Sequence, residues 1–234
     1  GDDTRKFPPF KNGESLYYCN MNRNKKGVTL NLKKPEGKAL FKEMVKNADV
    51  VVENYRPGLM DKLGLGYDVL KEVNPRIVYA AVSGFGSYGP KHQRPGYDII
   101  AQAISGIMSL TGEAGGGPLR TGSAIGDLVG GLNLCVGILA ALNARQFTGK
   151  GQRVDVSLVD GLVSFLETNT QRYQVDGSLS VWATAIPPRR PMIPSRPRTA
   201  SSSSAAATTS SLPCCAIRCS TVPSWGMIPA TIRR

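Results

Sequence analysis

The sequence predicts an α/β fold in which a mostly parallel, Rossmann-like sheet is flanked by helices over residues 1–176. Three observations support this prediction. Strand-like and helix-like segments alternate along this part of the chain, one strand is a continuous apolar run, and the longest helical segment is almost wholly apolar. Alternating strands and helices are typical of parallel sheets, whose strands are covered on both faces.

Four segments have the pattern of strands. Val28–Leu32 alternates apolar and polar residues. Val50–Val52 is an uninterrupted apolar run, which predicts burial on both faces of the sheet. Arg76–Ser83 and Gln152–Ser157 complete the predicted set.

Several segments between these strands have the pattern of helices. Glu36–Asn47 follows Pro35, a residue favoured at helix starts, and its predicted core face carries Leu40, Met44 and Val45. Further helices are predicted over Met60–Val73, as one or two short turns around Gly64 and Gly66, over Ile99–Leu110, and over about Leu158–Tyr173. Residues 115–118, Gly-Gly-Gly-Pro, are predicted to form a flexible loop.

The longest apolar segment, Leu128–Ala144, predicts a buried helix. With 17 residues and two asparagines it is short and polar for a membrane span, so no membrane partner is expected. Asp127 directly precedes it and is expected at the helix N-terminus, where free N–H groups favour a carboxylate. On pattern alone, a simple N-cap is the more common role of such an aspartate.

The alternative role of Asp127 is that of a nucleophile. The neighbouring glycines would leave room for a substrate and expose N–H groups to an oxyanion. These glycines are residues 122, 126, 130 and 131.

Residues 177–234 differ in composition from the rest of the chain. They contain seven Arg but no Lys, Asp or Glu, eight of the 16 prolines, and serine and alanine runs at 201–204 and 205–207. They are predicted to be a low-complexity Ser/Pro/Arg/Ala tail, either disordered or translated out of frame. The joint disappearance of lysine and acidic residues favours the second interpretation.

The net charge of +12 comes largely from this tail, and residues 1–176 carry only +5. Because the charge is concentrated in the tail, it does not indicate a nucleic-acid binding surface on residues 1–176. The five cysteines show no metal-ligand spacing. Cys19 and Cys135 are interpreted as reduced thiols of a cytoplasmic protein, or of the mitochondrial matrix in a eukaryote.

Residues 84–89, Gly-Phe-Gly-Ser-Tyr-Gly, match the dinucleotide-binding pattern G-x-G-x-x-G after a predicted strand. The motif requires a helix to follow. Residues 90–95, Pro-Lys-His-Gln-Arg-Pro, cannot begin one, so a nicotinamide site is not predicted.

Five short motifs occur in order along the chain: Asn-Tyr-Arg-Pro-Gly at 54–58, Gly-Phe-Gly-Ser-Tyr-Gly-Pro at 84–90, Arg-Pro-Gly-Tyr-Asp at 94–98, Gly-Asp at 126–127 and Thr-Gly-Lys-Gly-Gln at 148–152. Together they resemble the family III CoA-transferases, which include formyl-CoA:oxalate and succinyl-CoA-dependent transferases. The resemblance runs from Gly1 to about Asp176. It implies that Asp127 is the nucleophile and that capping is a second role of the same side chain.

The resemblance also implies how CoA is held. The implied contacts are Leu30, Lys33, Asn54, Tyr55, Arg56, Lys62, Tyr97 and Asp98. Charge makes Lys33, Arg56 and Lys62 plausible phosphate partners, although each can equally be an ordinary solvated cation, and Tyr97 can equally be a half-buried core residue. No metal or permanently bound cofactor is expected, because acyl-CoA enters as a substrate together with a small carboxylic acid.

Two alternatives remain open at the level of the sequence. The α-methylacyl-CoA racemases share the fold but use a histidine where Tyr97 stands, and the single histidine here, His92, lies five residues earlier. A tyrosine is a poor base near neutrality. The second alternative is a non-catalytic remnant that binds CoA weakly.

The resemblance further implies an N-terminal strand–helix–strand unit before Gly1, a second small domain in place of the tail, and an interlocked homodimer. The 234-residue chain is therefore expected to be shortened at both ends, to form at most a weak homodimer, and to have little transferase activity on its own.

Overall fold

The computed structural model describes residues 2–113 and 115–177. This part of the chain begins with a 3₁₀ turn, Asp3–Lys6, and an antiparallel hairpin of β1 (Phe10–Lys11) and β2 (Glu14–Ser15). The remaining elements are α1 (Leu16–Met21), α2 (Pro35–Lys46), β3 (Val50–Glu53), α3 (Leu59–Lys62), α4 (Tyr67–Val73), β4 (Val78–Ser83), α5 (Asp98–Ser105), a 3₁₀ turn (Ile107–Leu110), α6 (Ile125–Thr148), β5 (Arg153–Ser157), α7 (Leu158–Ser164) and α8 (Asn169–Asp176).

The main sheet has the order β3-β4-β5, and both pairings are parallel. In register, Glu53 lies beside Ala81, and Ala81 lies beside Asp155. The carboxyl ends of the three strands therefore meet at one edge of the sheet, where ligands of open α/β sheets bind. The predicted α/β class with a parallel sheet is confirmed.

Helices pack on both faces of this sheet, and the alternation of side chains along β4 separates two cores. Tyr79 and Ala81 point into the core built by α2, α3 and α4, which also contains Phe41 and Leu70. Val82 points to the opposite face. There it packs against a second core of buried residues from α5, α6 and α7: Ala101, Val129, Leu158 and Leu162.

The prediction of a strand over Val28–Leu32 is wrong. Within the described residues, Val28 makes a single bridge and the rest of the segment has no strand partner. Leu32 is buried in the core beside α2, and Leu30 packs against that core. The alternating pattern thus reflects an irregular segment that packs on a core rather than a strand.

Three helices differ in detail from their predictions. In α2 the core face carries Gly37, Phe41 and Val45, whereas Leu40 is 54% exposed. The helix predicted over 99–110 ends at Ser105 because Gly106 is left-handed, with φ of 89°, and a 3₁₀ turn follows. The helix predicted over 158–173 is likewise interrupted, and Glu167 between α7 and α8 has φ of 55°.

The prediction that the longest helix is buried is wrong for one of its sides. The buried side of α6 combines Val129 and Leu134 with small residues. Among the small residues, Gly130 meets Leu158, and a Cβ on Gly137 would lie 2.7 Å from Val154 Cγ1. Four other large apolar residues form an exposed stripe on the opposite side: Leu128, Leu132, Val136 and Leu139. Periodicity identifies an apolar surface but not the neighbour that covers it.

In β3, Val52 is similarly 47% exposed, so the predicted burial of this strand on both faces is also wrong. Helix α6 packs against β4 and β5, which leaves this face of β3 open within the described residues. By length and composition alone α6 could cross a bilayer, a test that core helices of water-soluble proteins also pass.

A partly buried ion pair joins the last turns of α6 to the amino-terminal edge of the sheet. The Arg145 guanidinium donates to Asp49 Oδ1 at 2.7 Å and to the Arg76 carbonyl at 2.9 Å. The Arg145 side chain is 6% exposed and that of Asp49 is 35% exposed. This cation therefore links α6 to the segments that enter β3 and β4.

The low-complexity segment predicted at 177–234 lies, apart from Gly177, outside the described residues. Its predicted disordered or out-of-frame character stays a prediction.

Candidate active site

A cleft with a volume of about 590 Å³ opens at the carboxyl edge of the sheet. Its walls come from the loops after β3 and β4, the loop before α5, the first turns of α6, and the start of α7. The residues that line it are Asn54, Tyr55, Arg56, Pro57, Val82, Ser83, Gly84, Arg94, Pro95, Gly96, Tyr97, Asp127, Gly131 and Leu158.

Asp127 projects from the first turn of α6 into this cleft. Its side chain is exposed. Within residues 2–113 and 115–177 its carboxylate makes no hydrogen bond or ion pair, although two arginines, Arg56 and Arg94, line the same cleft. The nucleophile predicted from the sequence is therefore positioned to meet a ligand.

The capping role predicted for Asp127 belongs to a different aspartate. Helix α6 starts at Ile125, and its N-cap residue, Ala124, offers no side-chain hydrogen bond. Instead, Asp98 of α5 reaches across and accepts the Gly126 N–H at Oδ1, 2.8 Å away. This arrangement leaves Asp127 without a structural hydrogen bond to maintain.

The electrostatic surroundings hold the pKa of Asp127 above its ordinary range. Partial burial against the wall of the cleft is the main cause, and the negative charge of Asp98 adds to it. Both effects disfavour the ionised carboxylate relative to water. An ionised Asp127 is thus less stable than a carboxylate in open water, and it has no hydrogen-bond or ion-pair partner among the described residues.

The glycines around Asp127 have two different roles, so the prediction that all four make room for substrate is wrong in part. A Cβ on Gly122 or Gly131 would meet open space, and Gly131 lines the cleft. Gly126 and Gly130 are buried and allow close helix packing. The Gly126 N–H is bonded to Asp98 and cannot serve an oxyanion as predicted.

Four of the predicted CoA contacts come together in the cleft: Asn54, Tyr55, Arg56 and Tyr97. Tyr97 is 79% exposed, which rules out the half-buried core role. The Asn54 amide donates to the Val82 carbonyl at 2.6 Å and so ties the loop after β3 to β4. Arg56 is exposed at the mouth and can meet an anion.

The other four predicted contacts lie elsewhere. Leu30 packs against the core beside α2, and Lys33 and Lys62 are exposed outside the lining of the cleft. Asp98 lies behind the cleft wall, where its two oxygens accept bonds from Gly126 and Gln102. Their contacts with CoA stay predictions.

Two residues of this region were missed by sequence reasoning. Arg94 lines the cleft beside Asp127, and its place at the head of the 94–98 motif was the available signal. Gln102 is fully buried although it is polar. A glutamine four residues after Asp98 in an otherwise apolar helix could have suggested this pairing.

Among the described residues that line the cleft there is no histidine, lysine or cysteine. His92 lies outside the lining, and its Nδ1 is 2.7 Å from the Gly89 carbonyl oxygen. In the part of the chain that the structure describes, no group of three or more His, Cys, Asp or Glu side chains could hold a metal ion. Within residues 2–113 and 115–177, the titratable groups that line the cleft are thus Asp127, Tyr97, Tyr55 and the two arginines.

A parallel sheet with helices on both sides, and with a cleft and an unpaired carboxylate at its carboxyl edge, is the arrangement of an α/β ligand-binding domain. Comparison with known proteins identifies the family of this domain. The sequence model of CoA-transferase family III matches residues 1–193, and the chain belongs to this family. The predicted resemblance is confirmed.

Individual relatives support the same assignment. The chain is 49% identical over 168 residues to an acetyl-CoA:oxalate CoA-transferase of Acetobacter aceti, covering 71% of this chain and 43% of that protein. It is 42% identical over 187 residues to the human succinyl-CoA:glutarate CoA-transferase, covering 79% and 43%. A CAIB/BAIF family protein from Brucella suis superimposes with a TM-score of 0.72 at 39% identity, covering 76% and 48%. The chain thus spans less than half the length of these relatives.

Proposed function

We propose that the protein transfers coenzyme A from an acyl-CoA to a carboxylic acid, with Asp127 as the nucleophile. The observation that carries the proposal is the exposed, unpaired Asp127 carboxylate in the cleft at the carboxyl edge of the sheet. Membership of CoA-transferase family III supports the same reaction class. Acyl-CoA and a small carboxylic acid are the proposed partners.

The proposed reaction begins when an Asp127 oxygen attacks the thioester carbonyl. The carbon–sulfur bond breaks, which gives a mixed anhydride and the CoA thiolate. The thiolate then attacks the Asp127 Cγ, so the first carboxylate leaves and an aspartyl-CoA thioester remains. Each step exchanges one acyl bond for another and preserves the energy of the thioester.

The second half of the proposed reaction runs in the opposite direction. The incoming carboxylate attacks the aspartyl thioester carbonyl and releases the CoA thiolate, forming a new anhydride. The thiolate attacks the acyl carbonyl of the incoming acid, and the Asp127 carboxylate leaves. No redox partner and no net proton are required.

The cleft supplies charge that suits these substrates. Arg56 and Arg94 line it on the side of the loops after β3 and before α5. Guanidinium groups bind phosphate and carboxylate through paired hydrogen bonds. We assign them to the CoA phosphates or the substrate carboxylate, and Gly131 to the space beside the acyl group.

Transfer assays with the full-length protein test the proposal. Acetyl-CoA and succinyl-CoA are suitable donors, and oxalate and glutarate are suitable acceptors, since the relatives named above carry these substrates in their names. Asp127→Asn should abolish transfer. Asp68→Asn is a matched control, because Asp68 is also exposed in the first turn of a helix but lies outside the cleft. Full transfer by the Asp127→Asn enzyme would refute the proposal.

We also propose that the full-length protein is a homodimer, as the family resemblance implies. Light scattering of the purified protein measures the mass directly. A mass equal to that of one chain at micromolar concentration would contradict this assignment.

A further inference from the structure

The segment that leads into α6 is held by a buried polar network centred on Gln102 of α5. Gln102 is fully buried, and its Oε1 accepts the Thr121 N–H at 2.9 Å and the Thr121 hydroxyl at 3.2 Å. Its Nε2 donates to Asp98 Oδ2 at 2.8 Å and, more weakly, to the Ser123 carbonyl at 3.4 Å. Both ends of this amide therefore have partners, as burial requires.

Asp98 continues the network to the helix itself. One of its oxygens accepts from Gln102 and the other accepts the Gly126 N–H. The Ile125 N–H donates to the Ser123 carbonyl at 2.8 Å. The loop and the first turn of α6 are thus fastened to α5 at three residues, Thr121, Ser123 and Gly126.

Gly126 fits this arrangement closely. A Cβ at this position would lie 3.1 Å from Asp98 Oδ1, 3.3 Å from Leu162 Cδ1 and 3.4 Å from Ala101 Cβ. An alanine would therefore displace Asp98 or tilt the first turn. The glycine before Asp127 is needed for contact with α5.

We propose that Asp98 and Gln102 are positioning residues for Asp127, fastening the first turn of α6 so that the Asp127 carboxylate faces the cleft without a structural partner. The proposal rests on the proposed role of Asp127 as nucleophile. Neither residue needs to touch a substrate, since both act through the backbone of Gly126 and the loop before it. Small displacements of a reacting group can cost on the order of 100-fold in rate.

Because Asp98 is charged and lies close to Asp127, a change in Asp98 should alter how activity depends on pH. Asp98 is the charged side chain that α5 directs at the first turn, and Arg56 and Arg94 are the charged side chains of the cleft. The other elements on this side of α6 meet it with apolar groups: Leu158 and Leu162 of α7, Val82 of β4 and Val154 of β5. Loss of the Asp98 charge should therefore lower the pKa of Asp127.

Reciprocal variants test the network. Asp98→Asn keeps an oxygen that can accept the Gly126 N–H, but its NH₂ group then faces the NH₂ group of Gln102, so this hydrogen bond is lost. Gln102→Glu instead places two carboxylates side by side, which repel each other. The double variant exchanges carboxylate and amide and restores the hydrogen bond. Each single variant should lower kcat on the order of 10- to 100-fold while KM for acyl-CoA stays within about twofold, and the double variant should recover most of kcat.

The division between kcat and KM separates positioning from direct contact with CoA. A contact between Asp98 and CoA predicts a raised KM with kcat preserved for Asp98→Asn, and no effect of the buried Gln102→Glu. Positioning also predicts that the acid limb of the kcat profile moves to lower pH in Asp98→Asn. Unchanged kcat and an unmoved acid limb in this variant would overturn the inference.

Failure of this inference is distinguishable from failure of the proposed function. If Asp127→Asn retains transfer, the nucleophile is wrong whatever the α5 variants do. If Asp127→Asn is inactive but the α5 variants keep their kcat, only the positioning role fails. Should the reciprocal variants not fold, Gly126→Ala decides, because it disturbs the same contact without changing a charge. A wild-type kcat in Gly126→Ala would overturn the inference.

Discussion

Gly84 and Gly96 lie back to back beside the cleft. A Cβ on Gly84 would be 2.5 Å from Gly96 Cα, and a Cβ on Gly96 would be 2.7 Å from Gly84 Cα. The loop before α5 therefore passes directly over the end of β4, which brings Arg94 and Tyr97 into the cleft. Because the nearest atoms are backbone atoms, they cannot move aside for an added Cβ as the end of a flexible side chain could.

We therefore predict that Gly84→Ala and Gly96→Ala each destabilise the protein by about 1–3 kcal/mol, as expected for overpacking at a rigid contact. Urea denaturation measures the change. Gly131→Ala is the matched control, because a Cβ there meets open space inside a helix, and it should stabilise by up to about 1 kcal/mol. Wild-type stability of both Gly84→Ala and Gly96→Ala would contradict the close approach.

The second prediction concerns Arg145. Arg145→Met removes the cation from Asp49 and leaves the Arg76 carbonyl without this donor. Breaking a buried pair typically costs about 3–5 kcal/mol, and the partial exposure of Asp49 reduces our expectation to about 2–4 kcal/mol. The free energy of unfolding in urea measures it.

An exposed pair provides the control for Arg145. Lys46 and Glu43 lie 2.6 Å apart with side chains 52% and 63% exposed. Lys46→Met should change stability by no more than about 0.5 kcal/mol. Equal effects of the two substitutions would show that the Arg145 pair is as weak as a surface pair.

The third prediction concerns pH and Glu53. Burial raises the pKa of Glu53, while hydrogen bonds from the Tyr55 N–H and the Tyr79 hydroxyl oppose the shift in part. Because the folded pKa is raised, ionisation of Glu53 costs folding free energy. This cost is absent below the ordinary glutamate pKa and complete above the raised value.

Glu53→Gln should therefore gain stability relative to wild type as the pH rises from below the ordinary glutamate pKa to neutrality. Its amide can still accept from Tyr55 and donate to Tyr79. Thermal melts at a series of pH values measure the difference, and Glu113→Gln at an exposed position is the control. A difference that is constant with pH would contradict the raised pKa.

The fourth prediction concerns recognition of CoA. Arg56→Ala should weaken CoA binding by roughly 10-fold, the value of one charge-assisted hydrogen bond of about 1.5 kcal/mol, and the loss should shrink at high salt. Isothermal titration with CoA measures it, and Lys46→Ala, remote from the cleft, is the control. Lys33→Ala and Lys62→Ala decide whether these two predicted contacts outside the cleft are used. If Arg56→Ala binds CoA with unchanged affinity, Arg56 does not contact CoA.

The order of the elements from α2 to α8 could be predicted from the sequence because it depends on local patterns. The apolar run at Val50–Val52, the pattern of Arg76–Ser83 and the Pro35 helix start are each specified by adjacent residues. Both β3 and β4 appear where predicted, and the parallel sheet follows from their alternation with helices.

The predictions that were wrong concern features that depend on contacts between residues far apart in the sequence. Leu30 and Leu32 satisfy a strand pattern by packing on a core that the pattern does not reveal. The apolar content of α6 did not show which of its leucines are buried: Leu134 is 6% exposed, whereas Leu128 and Leu132 are 58% and 59% exposed. The side chain that caps α6 is Asp98, 28 residues before Gly126. The sequence pattern could indicate only the neighbouring aspartate, Asp127, and that assignment of the cap was wrong.

The most direct test of the proposed mechanism is to identify the residue whose carboxyl group becomes activated by acyl-CoA. The full-length enzyme is incubated with acyl-CoA and quenched with hydroxylamine, which converts an activated aspartyl carboxyl to a hydroxamate that peptide mass spectrometry can locate. We expect the hydroxamate on Asp127 and none in the Asp127→Asn enzyme. A hydroxamate on another residue, or active transfer with no modification of Asp127, would contradict it.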